Sequence, residues 1–243
     1  MKSNMVVDTT QTFPTPDSPG ARVALRALRS GALQLRPSDP VVWASGARMP
    51  IYTDNRQLMR TSQGRDEVRA ALMAALAVEV SGGDWDGVAG TASAGIAPAV
   101  LLAEELGCDF YYVRGEAKGH GLARRIEGLP AETSLEGRRI LLVEDLFSTG
   151  GSSASAARAL IEAGATVPLC LAIFSYGFSE VTRTFAALPA PCKPVHAVSL
   201  DDALAVAREF DLISPSDAAL MARWQADPFG WYAATSGGGD DRK

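Results

Sequence analysis

Cysteine, histidine and long apolar runs are scarce in this chain, and each scarcity excludes a class of protein. Among 243 residues there are three cysteines and two histidines. Cys108, Cys170 and Cys192 are widely spaced and form no C-x-x-C pair, which argues against a disulfide framework and a zinc site. No uncharged apolar run of about 18 residues occurs and the first residues lack a signal-peptide core, so we expect no membrane span and a cytoplasmic location.

Basic residues are also too few for a general nucleic-acid surface. Lysine and arginine total 23 against 28 aspartates and glutamates, giving a net charge of -5. A protein that follows a phosphate backbone carries an excess of positive charge, so we expect no nucleic-acid partner. Net charge does not describe a single pocket, and a local anion site stays possible.

The domain organisation follows from composition. Residues 1–19 are rich in Thr, Pro, Asp and Ser with few apolar anchors, which predicts a flexible extension. Residues 235–243 are rich in Gly and Asp and predict a flexible tail. The 47% of hydrophobic residues suffices for one sizeable core, and we predict a single domain over residues 20–234.

Short apolar runs alternate with helical patterns through the middle of the chain. The pattern predicts strands at Gly87–Gly90, Asp109–Val113, Arg139–Val143 and Val167–Phe174, with helices at Ile96–Leu106 and Ser152–Ala163. This order is typical of an α/β protein with a mostly parallel central sheet flanked by helices. Ligands of such sheets bind at the carboxyl ends of the strands.

The residues after Val143 carry the strongest chemical signal. Two acids, Glu144 and Asp145, follow an apolar strand, and Ser148, Thr149 and two glycines lead into a helix. Glycines let backbone N–H groups approach an anion, and a helix start adds unpaired donors, so this turn predicts a cradle for one phosphate. No lysine follows the glycines, which excludes a Walker A loop. An ordinary capped turn is the alternative, but it leaves two carboxylates without a partner.

A second segment is basic and rich in glycine. Five cationic side chains fall within twelve residues: Arg114, Lys118, His120, Arg124 and Arg125. Gly115, Gly119 and Gly121 lie among them. Such a loop suits closure over a polyanion such as pyrophosphate, whereas the plainer interpretation is a solvated surface loop.

The stretch from Val143 to Ser152 resembles the motif with which type I phosphoribosyltransferases bind phosphoribosyl pyrophosphate (PRPP). The resemblance implies that the acids contact the ribose hydroxyls and that the turn holds the 5-phosphate. The PRPP-binding residues that it implies are Arg114, Lys118, His120, Glu144, Asp145, Leu146, Phe147, Ser148, Thr149, Gly150, Gly151 and Ser152.

Further segments resemble the orotate phosphoribosyltransferase branch. The pattern S-G-x-x-x-P-x-Y-x-D-N-R from Ser45 to Arg56 resembles its hood over the base, and the basic loop resembles its mobile catalytic loop. Residues 90–96 resemble its pyrophosphate loop. The resemblance implies the type I fold with an N-terminal hood, PRPP and orotate as substrates, and Mg²⁺ held mainly through the substrate. It also implies a homodimer in which the loop reaches the neighbouring subunit's site.

The same resemblance assigns the site residues. The catalytic set is Arg114, Lys118, His120 and Asp145, and the orotate set is Ser148, Tyr52 and Arg56, with Arg56 as the candidate partner of the orotate carboxylate.

Two positions in the basic loop depart from the family. Gly115 and Glu116 stand where family members carry a lysine, so the loop has one cation fewer and Glu116 opposes pyrophosphate. Two alternatives therefore stay open, namely a phosphoribosyltransferase for another base and a regulator that senses PRPP without turnover.

Overall fold

The computed structural model describes residues 17–42, 48–80, 84–115, 125–130, 133–228 and 230–232. Lys118, His120 and Glu116 lie outside the described residues, as do the predicted C-terminal tail and the first sixteen residues of the predicted extension. The last part of that extension is described. Helix α1 (Pro19–Ser30) begins there, and the Ser18 hydroxyl caps it by accepting from the Ala21 amide.

The amino-terminal part consists of short strands and two helices. Strand β1 (Leu33–Leu35) pairs antiparallel with β4 (Ile51–Thr53), and β2 (Val41–Val42) pairs antiparallel with β3 (Arg48–Met49). A 3-10 helix (Asn55–Arg60) and helix α2 (Ser62–Glu79) follow. The predicted hood segment, Leu35 to Arg56, contains β2, β3, β4 and the start of the 3-10 helix, and it precedes the central sheet in the chain, whereas α2 packs against β9 and β10.

The central sheet has six strands in the described part of the chain. They are β5 (Gly87–Thr91), β6 (Asp109–Val113), β7 (Ile126–Glu127), β8 (Ile140–Phe147), β9 (Leu169–Ser175) and β10 (Lys193–Ser199). Their order is β10-β9-β8-β5-β6-β7, and all neighbours are parallel except β6 and β7. The prediction of a mostly parallel α/β sheet is confirmed.

Helices cover both faces of this sheet. Besides α1 and α2, they are α3 (Ile96–Leu106), α4 (Gly151–Glu162), α5 (Ser179–Ala186), α6 (Leu200–Glu209) and α7 (Pro215–Ala226). Side chains alternate along β8, so that Leu141 and Val143 enter a core shared with α1–α3, α6 and α7, whereas Ile140 and Leu142 enter a second core beneath α4 and α5. Burial on both faces explains why β8 begins as an uninterrupted apolar run.

The predicted end of the third strand was wrong. Strand β8 does not stop at Val143 but continues to Phe147, because Leu146 and Phe147 still pair with Phe174 and Ser175 of β9. Glu144 and Asp145 therefore lie within the strand, and the turn that follows is reduced to Ser148, Thr149 and Gly150.

The helices that the structure describes do not have the properties of membrane-spanning segments. None of them combines the length and the apolar character that crossing a bilayer requires.

Candidate active site

A cavity of about 610 Å³ opens where β5, β6 and β8 end at their carboxyl edge. The residues that line it are 91–94, 113–115, 125, 144–146, 148–153, 155 and 156. The two predicted anion turns and the start of the basic loop, which are far apart in sequence, thus face one space.

The turn from β8 to α4 is built to receive an anion. Gly150 has a left-handed conformation (φ 78°), which a glycine adopts without steric cost, and no side chain caps the helix that starts at Gly151. The first backbone N–H groups of α4 therefore have no side-chain partner, and the positive end of the helix dipole faces the cavity. Ser148, Thr149 and Ser152 surround it with hydroxyl groups.

The turn from β5 to α3 is the second such element, and it is packed more tightly. Ala92, Ser93 and Ala94 line the cavity, and α3 also starts without a side-chain cap. A Cβ on Gly90 would lie 2.6 Å from the Gly95 carbonyl oxygen, and one on Gly95 would lie 2.6 Å from the Val143 carbonyl oxygen. The glycines permit a close approach of helix to strand, which brings the turn up to the cavity.

Glu144 lies at the floor of the cavity with only 6% of its surface exposed. Its Oε1 accepts hydrogen bonds from the Thr91 hydroxyl (2.5 Å) and the Asp145 amide (3.0 Å), and its Oε2 accepts one from the Ser153 hydroxyl (2.9 Å). Thr91 and Ser153 are themselves buried. The carboxylate thus joins the two turns.

Asp145 is the more accessible of the two acids. Burial raises the pKa of its carboxyl to about 7, helped by its contact with the Glu144 carboxyl and by the negative charge there. Arg56 from the 3-10 helix and Tyr176, which follows β9, also interact electrostatically with Asp145. The buried Asn55 side chain donates to the Asp145 carbonyl oxygen (2.8 Å) and ties the hood to the floor of the cavity.

Arg114 and Arg125 stand on either side of residues 116–124 and are bound to each other. The Arg114 amide donates to the Arg125 carbonyl oxygen (2.8 Å), and the Arg125 Nε donates to the Arg114 carbonyl oxygen (3.0 Å). Arg125 also donates to the Ser155 hydroxyl of α4 (3.1 Å), and Arg114 pairs with Glu127 (3.1 Å). Both guanidinium groups are therefore positioned at the rim of the cavity.

Three residues predicted to bind ligands do not line this cavity. The Phe147 side chain is buried against Phe185 in the second core, because it points to the face that α5 covers, so we withdraw a ligand contact through that side chain. Tyr52 lies in the hood and is partly exposed, and the exposed Arg56 pairs with Asp54 (2.6 Å). The orotate assignments of Tyr52 and Arg56 stay predictions.

Sequence reasoning included Thr91 only as part of residues 90–96, which resemble the pyrophosphate loop, and it did not single out Ser153. Their hydroxyls reach Glu144 across 53 and 9 positions of sequence, and no local pattern marks such a contact.

Comparison with known proteins agrees with this geometry. The sequence profile of the phosphoribosyl transferase domain matches residues 64–175, which include both turns and the basic loop. The orotate phosphoribosyltransferase of Lactiplantibacillus plantarum is 36% identical over 211 residues, covering 87% of this chain and 96% of the relative. That of Cutibacterium acnes is 39% identical over 212 residues, covering 87% and 94%. The chain belongs to the orotate phosphoribosyltransferase family.

A solved structure supports the same family. The orotate phosphoribosyltransferase of Aeropyrum pernix is 27% identical with a TM-score of 0.62, and the match covers 79% of this chain and 99% of that one. The Leishmania donovani UMP synthase, at 22% identity and a TM-score of 0.68, shares the fold over 85% of this chain and 42% of its own. The predicted fold class and family are confirmed.

Proposed function

We propose that this chain transfers the 5-phosphoribosyl group of PRPP to orotate, giving orotidine 5'-phosphate and pyrophosphate in pyrimidine biosynthesis. The observation that carries the proposal is the convergence of two uncapped helix starts and a carboxylate on one cavity. PRPP has the matching chemistry, with a phosphate at one end, a pyrophosphate at the other and a polyol between them.

Each end of the cavity suits one part of that substrate. The turn at Ser148 to Gly151 and the start of α4 would hold the 5-phosphate, because backbone N–H groups and hydroxyls converge there. The turn at Ala92 to Ala94, together with Arg114, would receive the pyrophosphate. Asp145 lies between them and would accept hydrogen bonds from the ribose hydroxyls.

The reaction at the anomeric carbon requires stabilisation of separated charges. As the bond to pyrophosphate breaks, positive charge develops on the ribose, and a carboxylate nearby stabilises it. Negative charge grows on the leaving group, which the helix start of α3 and Arg114 stabilise. No covalent nucleophile is needed. Lys118 and His120 stay predicted to add positive charge on this side.

We propose that Mg²⁺ enters together with the pyrophosphate and is not held by a cage of side chains. Among the described residues there is no group of three or more His, Cys, Asp or Glu that could hold a metal ion. The oxygen-rich floor nevertheless fits a hard cation, and the Asp145 carboxylate could supply one ligand. When bound, the ion would supply neutralisation of the pyrophosphate oxygens.

A homodimer in which residues 116–124 serve the neighbouring subunit's site is part of the same proposal. It is supported by the family resemblance of the basic loop. Cytoplasmic location likewise stays a prediction.

A panel of bases assayed with PRPP tests the function. We expect pyrophosphate release that needs orotate and Mg²⁺ together, measured by a coupled phosphate assay. Release with adenine, guanine or hypoxanthine in place of orotate would favour another phosphoribosyltransferase. PRPP binding measured by calorimetry without release for any base would favour the regulator.

A further inference from the structure

The start of the 3-10 helix contacts β8 through one buried side chain. Asn55 is only 2% exposed, and its Nδ2 donates to the Asp145 carbonyl oxygen (2.8 Å) across 90 positions of sequence. Asn55 is not among the residues that line the cavity, whereas Asp145 is. The Asn55 side chain therefore acts on a bound ligand through Asp145, whose main chain it holds.

This hydrogen bond is made where β8 has a strand on one side only. In the part of the chain that the structure describes, β5 pairs with β8 only as far as Gly90 opposite Val143, whereas β9 continues to Phe147. Asp145 lies between these two limits. A main-chain carbonyl group that is removed from water needs a donor, and Asn55 supplies one.

Both peptide groups next to the Asp145 Cα are held by hydrogen bonds. The Asp145 amide donates to Glu144 Oε1 (3.0 Å), and the Asp145 carbonyl oxygen accepts from Asn55 (2.8 Å). Because peptide groups are planar, the orientation of the two that flank a Cα sets the direction in which its Cβ leaves the main chain. Asn55 thus helps to set the direction in which the Asp145 side chain enters the cavity.

The same contact joins the predicted base-binding and ribose-binding parts of the site. Arg56, the next residue after Asn55, is the candidate partner of the orotate carboxylate, and it interacts electrostatically with Asp145. Transfer requires the nitrogen of the base and the anomeric carbon of the ribose to be aligned. A fixed contact between the hood and the acid at the ribose keeps these two parts at a constant spacing.

We propose that Asn55 is a positioning residue, which holds Asp145 in place from the hood and thereby raises the affinity for the ribose part of the substrate. The inference rests on the proposed function, and it extends the set of residues that determine binding to one that lies outside the cavity.

Asn55→Leu removes the amide group with little change in size, and Asn55→Ala is a second variant with a smaller side chain. In both variants we expect ribose 5-phosphate and PRPP to bind about fivefold more weakly by calorimetry, the equivalent of one lost hydrogen bond. The affinity for inorganic pyrophosphate, which has no ribose, should stay unchanged. A purely structural role for Asn55 predicts no such difference between ligands.

Thr53→Val is the matched control. The Thr53 hydroxyl accepts a hydrogen bond from the buried Tyr176 hydroxyl (3.2 Å), so it also ties the hood to a residue at the end of a sheet strand. Among the described residues, Thr53 forms no hydrogen bond with Asp145. Thr53→Val should lower the free energy of unfolding in urea, as Asn55→Leu does, and should leave the affinity for ribose 5-phosphate unchanged.

Three results would overturn the proposal. The first is unchanged affinity for ribose 5-phosphate in Asn55→Leu and Asn55→Ala, and the second is an equal loss of affinity for pyrophosphate. The third is a loss in Thr53→Val as large as that in Asn55→Leu, which would show that any loosening of the hood has the same effect. Because these readouts are binding constants, a failure to release pyrophosphate with orotate would contradict the proposed function alone.

Discussion

The two strand-to-helix turns of the cavity use glycine for opposite reasons. In the β5 turn, Gly90 and Gly95 are needed because any Cβ would collide with neighbouring backbone, although neither has a positive φ. In the β8 turn, Gly150 is needed for its left-handed backbone, whereas a Cβ on Gly151 would find no atom nearer than the Thr149 hydroxyl at 3.9 Å. The first turn is packed tightly at its two glycines, although Ala92 and Ser93 between them are exposed, whereas the second has free space beside Gly151.

This difference matches the part that each turn would play. A tightly packed turn holds its backbone donors in place without a ligand, which suits a leaving group whose charge grows during the reaction. An open turn with hydroxyls and free helix N–H groups leaves room for a phosphate to enter. The comparison predicts that the same substitution acts on stability in one turn and on binding in the other.

Gly95→Ala should have the largest effect. The new methyl group would collide with the Thr91 hydroxyl and would lie 2.6 Å from the Val143 carbonyl oxygen. Only a movement of the backbone can relieve the contact with that carbonyl oxygen. We expect a loss of about 3 kcal/mol in the free energy of unfolding, measured in urea. Gly115→Ala is the matched control, because no atom lies within 4 Å of its added Cβ, and it should change stability by less than about 0.5 kcal/mol. Equal stability of both variants would show that the β5 turn is not tightly packed.

Asp145→Asn should have the next largest effect and should stabilise the protein. The folded-state pKa of Asp145 is raised to about 7 from an ordinary value of 3.8. The stability that its protonated form contributes is therefore complete below pH 3.8 and is lost as the pH rises through 7. Asparagine resembles the protonated carboxyl, so at pH 8 the variant should be more stable by on the order of 2 kcal/mol, and the gain should fade towards pH 4.

Asp109→Asn provides a control of opposite sign. The Arg138 guanidinium, with help from the Tyr111 hydroxyl, holds the pKa of the Asp109 carboxyl below its usual range. That contribution is present at neutral pH and is lost as the pH falls through the lowered pKa, so Asp109→Asn should destabilise slightly at pH 8. Thermal unfolding at several pH values measures both variants. A pH-independent effect of Asp145→Asn would mean that its charge is not the cause.

The sequence predicted local features well and long-range contacts poorly. Helix α3 begins at Ile96 and ends at Leu106, as predicted, because Gly107 terminates it in a left-handed conformation (φ 64°), and that signal is local. The end of β8 was missed because the pairing of Leu146 and Phe147 with β9 depends on a strand some 28 residues further on, at Phe174 and Ser175.

The candidate site likewise has features that the sequence predicts and contacts that it does not. That the turn at Ser148 to Gly151 lines a cavity was predictable, because its residue types and their order are local, and its binding of an anion stays a prediction. The partners of the acids were not predictable. Thr91 reaches Glu144, and Asn55 reaches the Asp145 backbone from 90 positions away, through contacts that only the folded chain creates. The sequence argument held that the paired carboxylates need a partner, and the structure supplies protein partners for Glu144, so a ligand partner stays a prediction.

Gly151→Ala should have the smallest effect on stability. Its added methyl group meets nothing closer than 3.9 Å at the start of a helix, where alanine is favoured over glycine, so stability should stay the same or rise by about 0.5 kcal/mol. Gly150→Ala is the matched partner and should lose about 1 kcal/mol of stability, because only glycine adopts φ 78° without strain.

Gly151→Ala should nevertheless weaken the binding of a phosphate, because the Gly151 methyl group enters the space that the phosphate would occupy. We expect about tenfold weaker binding of ribose 5-phosphate by calorimetry, the equivalent of one hydrogen bond to a charged acceptor. Unchanged binding in this variant would place the phosphate elsewhere in the cavity and would remove the functional contrast between the two turns.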